Sequence, residues 1–378
     1  MMTEPPRKER CVMNKKMGAV DTVLVSAVLS LLALGIVMVY SASAVSAEVH
    51  FDDAYYFLKR QLIWTAIALG AMVCVMRIDY HVWKRLAVPV LAVTVVLLLL
   101  VLVPGLGKVV NGARRWLGAG GFYLQPSEIA KLGMVIFTAA YLTTNIGRIK
   151  QFWRGLVPIL GVMLMIFALI LAEPDLGTAL AIGGVVFVLL FTAGARTLHL
   201  ASLGMVGVLG VAVAVWLEPY RMKRILAFLD PWSDPLGSGY HIIQSLYAIG
   251  SGGLFGVGLG RSREKFLYLP EPHTDFIFSI IGEELGLIGT LTVILLFFLL
   301  AWRGMRTAMH APDTFGSLLA VGLTSMIVLQ AMMNIAVVTA SMPVTGIPLP
   351  FLSFGGSALI FTMTGVGILL NISGQIRL

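Results

Sequence analysis

The 378-residue chain is predicted to be an all-α, polytopic integral membrane bundle of about ten transmembrane helices. Three observations carry that prediction. The composition is 58% hydrophobic and only 12% charged, with a mean hydropathy of +0.92, which sets aside an ordinary soluble protein. Apolar runs recur that reach the roughly 20 residues a helix needs to cross about 30 Å of hydrocarbon. Strand-like alternation is absent, which sets aside an outer-membrane barrel.

Residues 1–18 read as a basic cytoplasmic tail and 19–378 as one membrane domain. The first apolar run is too long for a signal-peptide core and lacks a convincing small-residue cleavage site, so it is expected to stay as a helix. Predicted spans are 19–41, 61–77, 86–104, 126–144, 155–172, 175–194, 197–217, 275–302, 315–340 and 347–371. On one side the connections are short and basic, with Arg77, Lys84, Arg85, Arg148, Lys150, Arg154, Arg196, Arg303 and Arg306. With Arg7, Lys8, Arg10, Lys15, Lys16 and Arg377, they orient that side and both termini to the cytoplasm. Three connections stand out on the other side. The first holds Asp52, Asp53, Lys59 and Arg60, and the second, 105–125, contains Asn111, Arg114, Arg115 and Trp116. The third, 218–274 between spans seven and eight, holds Arg221, Lys223, Arg224, Arg261, Arg263 and Lys265. Its segment 240–249 reads as a short amphipathic helix lying at the membrane interface. The net charge of +8 is spread along the chain and forms no nucleic-acid-binding cluster. Cys11 and Cys74 match no disulfide framework or zinc spacing.

Acids at membrane depth need a reason, because each costs about 2.5–3.5 kcal/mol at the centre of a lipid-exposed helix. Asp275 stands where a long polar segment gives way to an apolar run; Thr274 or Asp275 also suits a helix cap. Glu283 and Glu284 follow about 12–13 Å deeper, at 1.5 Å rise per residue. That is too far for a carboxylate pair at one bond, and helix contacts or cavity polarity are the expected roles. Glu128 and Lys131, three apart after Pro126, share a helix face and can pair. Glu173 and Asp175 flank Pro174 in a tight turn, where capping is the plain alternative to function. Gln330 and Asn334 are expected to bond between helices. Gly256, Gly258 and Gly260 resemble part of a dinucleotide loop, but no strand precedes them. Pro343 to Gly356 interrupts the apolar pattern, and irregular backbone at depth is tolerated only under protein or beside a cavity, so it is expected to border the site. No all-protein ligand cluster for a metal is apparent, and a divalent cation is the one cofactor left open.

Several long motifs occur in order. They are Tyr40-Ser-Ala-Ser43, Gln125-Pro-Ser-Glu-Ile-Ala-Lys131, Glu173-Pro-Asp-Leu-Gly-Thr178, Asp230-Pro-Trp-Ser-Asp234, Leu269-Pro-Glu-Pro-His-Thr-Asp275 and Pro343 to Ser357. In these, over nearly its whole length, the chain resembles the SEDS family (shape, elongation, division and sporulation), membrane glycosyltransferases that polymerise peptidoglycan. The wording is closer to the FtsW/SpoVE branch than to the RodA branch. The resemblance implies that Asp275 is the catalytic residue, taking a proton as the 4-hydroxyl of a lipid II sugar attacks a glycan on undecaprenyl diphosphate. An ordinary Asp pKa of about 3.9 would keep it ionised, and general-base help is worth about 10²–10⁴-fold. The departing diphosphate calls for cations; Arg114, Arg115, Arg221, Lys223, Arg224, Arg261 and Lys265 are the candidates, with attraction to lipid headgroups as the alternative for each. Glu128 and Lys131 are placed in or near the cavity by the resemblance, with helix packing as the alternative. His273, Glu173 and Asp175 complete the candidate set, His273 in a structural role. Implied partners are a class B penicillin-binding protein supplying transpeptidation, lipid II itself, and membrane proteins of division or sporulation. The rival readings are a transporter that flips lipid-linked precursor and a catalytically idle scaffold.

Overall fold

The computed structural model describes residues 18, 20–110, 113–119, 122–266 and 268–376. The predicted basic tail apart from Gly18, with Cys11, Asn111 and Arg377, lies outside the described residues. A helix stands at each of the ten predicted spans: α1 (Thr22–Phe51), α2 (Tyr56–Met76), α3 (His81–Leu102), α4 (Pro126–Thr144), α5 (Val157–Ala172), α6 (Leu176–Thr192), α7 (Thr197–Trp216), α10 (Ile277–His310), α11 (Thr314–Val338) and α12 (Gly356–Ser373). Two shorter helices, α8 (Pro219–Leu229) and α9 (Tyr240–Gly252), lie between α7 and α10. Among the described residues eight helices are long and apolar enough to cross a membrane, and α6 is a shorter apolar one.

Three departures from the sequence reading have local causes. No breaker follows 41, so α1 runs on to Phe51 and Tyr40 to Ser43 lie inside it; Asp52 then takes a left-handed φ of 55° and bonds Glu48 O at 3.0 Å. At the other end of the chain, Pro343, Pro348 and Pro350 keep the backbone irregular, so α12 starts at Gly356 and not near 347. Finally, 107–124 is not a plain loop. It folds into an antiparallel sheet ordered β1 (Gly107–Val110), β2 (Ala113–Ala119), β3 (Phe122–Leu124), with a bulge at Lys108/Val109. These strands are too short to show alternation in the sequence.

The predicted amphipathic helix is α9: one face packs against the bundle while Leu246 and Tyr247 stay exposed. Ile242, Ile243 and Ala248 are buried, and Ser245 Oγ bonds Ser279 Oγ at 2.8 Å and Val338 O at 2.7 Å. Beyond it, α10 is broken at Gly286 (φ 66°, ψ −160°), a conformation that only glycine takes easily. The loop after α9 fills the break: Val257 N donates to Glu283 O (2.9 Å), Gly258 N to Glu284 O (3.1 Å), and Leu287 N donates to Gly253 O (2.9 Å). This ties the 253–266 segment to the helix that Asp275 precedes. Away from the sheet, the far end of the bundle is clamped by Asp21, which caps α1 and receives Arg303 Nε at 2.7 Å, and by Asn371, which bonds Tyr80 N and Met76 O.

Candidate active site

At the sheet end of the bundle a cavity of about 940 Å³ opens among the end of α1, the start of α2, β2, β3, α8 and two irregular segments, 265–275 and 345–358. Asp275 lines it just before α10. Among the described residues no donor bonds its carboxylate, so Asp275 is not spent as a side-chain cap. Gly346, at φ +74°, lies close by: a Cβ there would stand 3.5 Å from Asp275 Oδ2. Replacing Gly346 with alanine is expected to destabilise the protein by about 1 kcal/mol, from forcing a side chain into left-handed backbone; thermal unfolding of the variant in detergent measures it.

Burial pushes the Asp275 carboxyl up to about 6, helped by repulsion from Glu271, while Arg224 and Arg115 pull it back down. The ordinary value expected from sequence is thus displaced, yet at pH 7 the group is still about nine-tenths ionised. Each of the two guanidiniums is tethered by backbone carbonyls. Arg115 gives Nε to Glu173 O (2.9 Å) and Nη2 to Pro174 O. Arg224 gives Nη1 to Val344 O (2.9 Å) and its guanidinium stacks 4.5 Å from the Tyr220 ring. Carbonyl bonds consume donors but leave the charge unneutralised, so both cations remain available to an anion.

The sequence candidates divide sharply on this geometry. Asp275, Arg115, Arg224, Lys265 and His273 line the cavity; Arg114, Arg221 and Arg261 do not. A bulge separates Arg114 from Arg115: the register steps from Lys108↔Trp116 to Val109↔Arg114, which leaves Arg115 unpaired on the cavity wall while Arg114 is exposed. Arg221 turns back to Ala214 O (2.9 Å) near the end of α7, a helix-terminus role. Arg261 is exposed on the loop. Lys265 reaches the cavity wall, but its Nζ pairs with Glu284 (3.1 Å) and is 4% exposed, so its charge is already matched. Glu284 also accepts from Ser41 Oγ (2.6 Å), and Glu283 accepts from Ser262 Oγ (2.5 Å) and Arg263 N (2.6 Å): the two acids hold the loop to α10 and α1.

Glu128 and Lys131 pair at 2.8 Å in the interior and do not line the cavity. Asp175 caps α6 through Thr178 N (3.1 Å) and receives Gln125 Nε2 (3.3 Å). Glu173 is fully buried with neither carboxylate oxygen bonded, and burial beside Asp175 pushes it up to about 8, which keeps it protonated at neutral pH. His273 is wedged against Phe57 (4.2 Å between rings) and Phe354, and burial holds it below the usual imidazole range, hence neutral. Sequence reasoning passed over Arg60, Trp64, Tyr123 and Gln125 as wall residues; the density of aromatics at 55–57 beside Arg60 was the available signal. Among the described residues no group of three or more His, Cys, Asp or Glu is placed to hold a metal ion.

Long apolar helices packed around a polar cavity at one end make the chain a multi-pass membrane protein. Its comparisons with known proteins are specific. The family model FtsW/RodA/SpoVE, described as "Cell cycle protein", matches residues 22–378, and the chain belongs to that family. It is 52% identical to stage V sporulation protein E of Bacillus subtilis over 97% of this chain and 100% of the relative. It is 47% identical to a probable peptidoglycan glycosyltransferase FtsW of Trichlorobacter lovleyi, covering 96% and 95%. Among solved structures, one described as "Structural coordination of polymerization and crosslinking by a peptidoglycan synthase complex" superposes with a TM-score of 0.78 at 35% identity, covering 94% and 98%. The rod shape determining protein RodA of Thermus thermophilus superposes with a TM-score of 0.70 at 32% identity, covering 94% and 97%.

Proposed function

We propose that this protein is a peptidoglycan glycosyltransferase that polymerises lipid II into glycan strands, serving division or sporulation. The observation that carries the reading is a carboxylate without a hydrogen-bond donor in a large cavity, with two guanidiniums on the same cavity wall, each tethered by backbone carbonyls. Its relatives' names point the same way. Asp275 accepts the proton of the acceptor sugar's 4-hydroxyl as that oxygen attacks the anomeric carbon of the donor glycan. The bond from that carbon to the diphosphate breaks, and the electron pair leaves on undecaprenyl diphosphate. Arg115 and Arg224 hold the charge that grows there, a role suited to cations whose positions backbone carbonyls already fix. Neutral His273 packs against Phe57 and Phe354 in the cavity wall, and Lys265, paired with Glu284, shapes that wall further.

The short basic connections Arg77 to Arg85 and Arg148 to Arg154 support a reading with the cavity at the outer face of the cytoplasmic membrane and both termini in the cytoplasm. A class B penicillin-binding protein is the partner that supplies cross-linking. The test is polymerisation of fluorescent lipid II by the purified chain, with and without that partner, resolved on a gel. Glycan ladders are expected. Lipid II moved across vesicles without any polymer would identify a transporter instead.

A further inference from the structure

Asp275 makes no side-chain bond, so its backbone must fix where the carboxylate stands. That backbone has little regular structure to hold it, because 268–276 and 339–355 are turns and extended chain. The missing bonds come from the buried face of α11. Asn334, 1% exposed, donates through Nδ2 to Asp275 O at 2.7 Å and to Ile347 O at 2.8 Å. Two carbonyls can only be met by the amide nitrogen, so chemistry sets the orientation of this side chain. One turn earlier, Gln330 donates through Nε2 to Pro348 O (2.9 Å), while its Oε1 accepts from Lys131 Nζ (2.6 Å). Lys131 is in turn fixed by Glu128 at 2.8 Å, the two being 5% and 3% exposed.

The same irregular segment carries the other half of the site. Val344 O holds Arg224, and Gly346 packs on the Asp275 carboxylate. A single rail therefore runs from α4 through α11 to the backbone that sets acid and cation relative to each other.

We infer that Asn334 and Gln330 are positioning residues for Asp275 and Arg224, and that the Glu128–Lys131 pair acts on the reaction through Gln330 without touching substrate. This rests on the reading of Asp275 as the proton acceptor. It gives the buried ion pair a task beyond helix packing: Lys131 forces Gln330 to present its nitrogen to Pro348, and without it the amide is free to turn over.

The experiment uses the full chain, purified, with lipid II. Wild type, Asp275→Asn, Asn334→Asp and Gln330→Met are compared for kcat, KM and the pH dependence of kcat. Asn334→Asp keeps the shape but presents oxygen to two carbonyls. Gln330→Met leaves Asn334 in place and serves if Asn334→Asp does not fold. The rail predicts kcat down about 10- to 100-fold in either variant, the scale at which a 1 Å misplacement is felt, with KM within about twofold by the same argument, since the substrate contacts stay. For Gln330→Met, which adds no charge, it also predicts that the acid limb of kcat moves below the wild-type position, because a loosened Asp275 gains water. A residue that only supports folding would lower kcat in proportion to the folded fraction and leave the limb where it was; that result, or wild-type kcat, overturns the rail while an inactive Asp275→Asn keeps the assigned function. A wild type that makes no polymer overturns the function and the rail together.

Discussion

Asp275→Asn is expected to lower lipid II polymerisation by about 10²–10⁴-fold, the worth of a positioned general base, with insertion and thermal stability unchanged. Stability should hold because the carboxylate bonds no donor in the fold, so a neutral side chain of the same shape breaks no hydrogen bond, and the attraction lost to Arg224 and Arg115 is offset by the desolvation relieved. Gel analysis of polymer, alongside a binding measurement for lipid II, separates lost chemistry from lost substrate. The wild-type pH profile makes the assignment sharper. A base must be ionised to work, and burial with Glu271 nearby lifts this one to about 6. Activity should therefore rise as pH climbs through about 6 and level off above 7. The variant's residual activity should lack that limb. A polymerisation rate in Asp275→Asn equal to wild type would falsify the role outright.

The spans, and Asp275 as an acid on the cavity wall, were legible because both depend on local chemistry. Twenty apolar residues make a helix in lipid whatever surrounds them, and a carboxylate at the head of such a helix announces itself. The depth argument also separated Glu283 and Glu284 from the reaction, and they hold loop 253–266 to α10 and α1. What the sequence concealed is set by partners far along the chain. Seven cations were candidates for the diphosphate, and nothing in residue type distinguishes Arg115 from Arg114 until β2 turns one inward and the other out. Lys265 looked free until the break at Gly286 brought Glu284 against it. The acid's titration was misjudged for the same reason: an ordinary value assumes water, and the wall residues that exclude water come from five separate stretches. Gln330 and Asn334 were expected to bridge helices, yet most of their bonds go to irregular backbone that no periodicity predicts.

The second large effect belongs to the two tethered cations. Arg224→Met and Arg115→Met are each expected to cut kcat by about 10²–10³-fold, the loss typical of one preorganised donor to developing negative charge. Both also act on the base, which gives a signature that a lipid-headgroup role could not mimic. Arg224 is the larger and Arg115 the smaller of two attractions that hold the Asp275 carboxyl down. Removing either favours the protonated acid, so the acid limb must move upward from about 6, and further for Arg224 than for Arg115. Arg224→Lys should restore the limb more fully than the rate, because an ammonium supplies charge but not the planar fork that spans Val344 O and a phosphate together. Kinetics from pH 5 to 8.5 across these four proteins test the scheme. A limb fixed in all of them, with activity near wild type, would mean that the guanidiniums serve the membrane surface and that the diphosphate is held elsewhere.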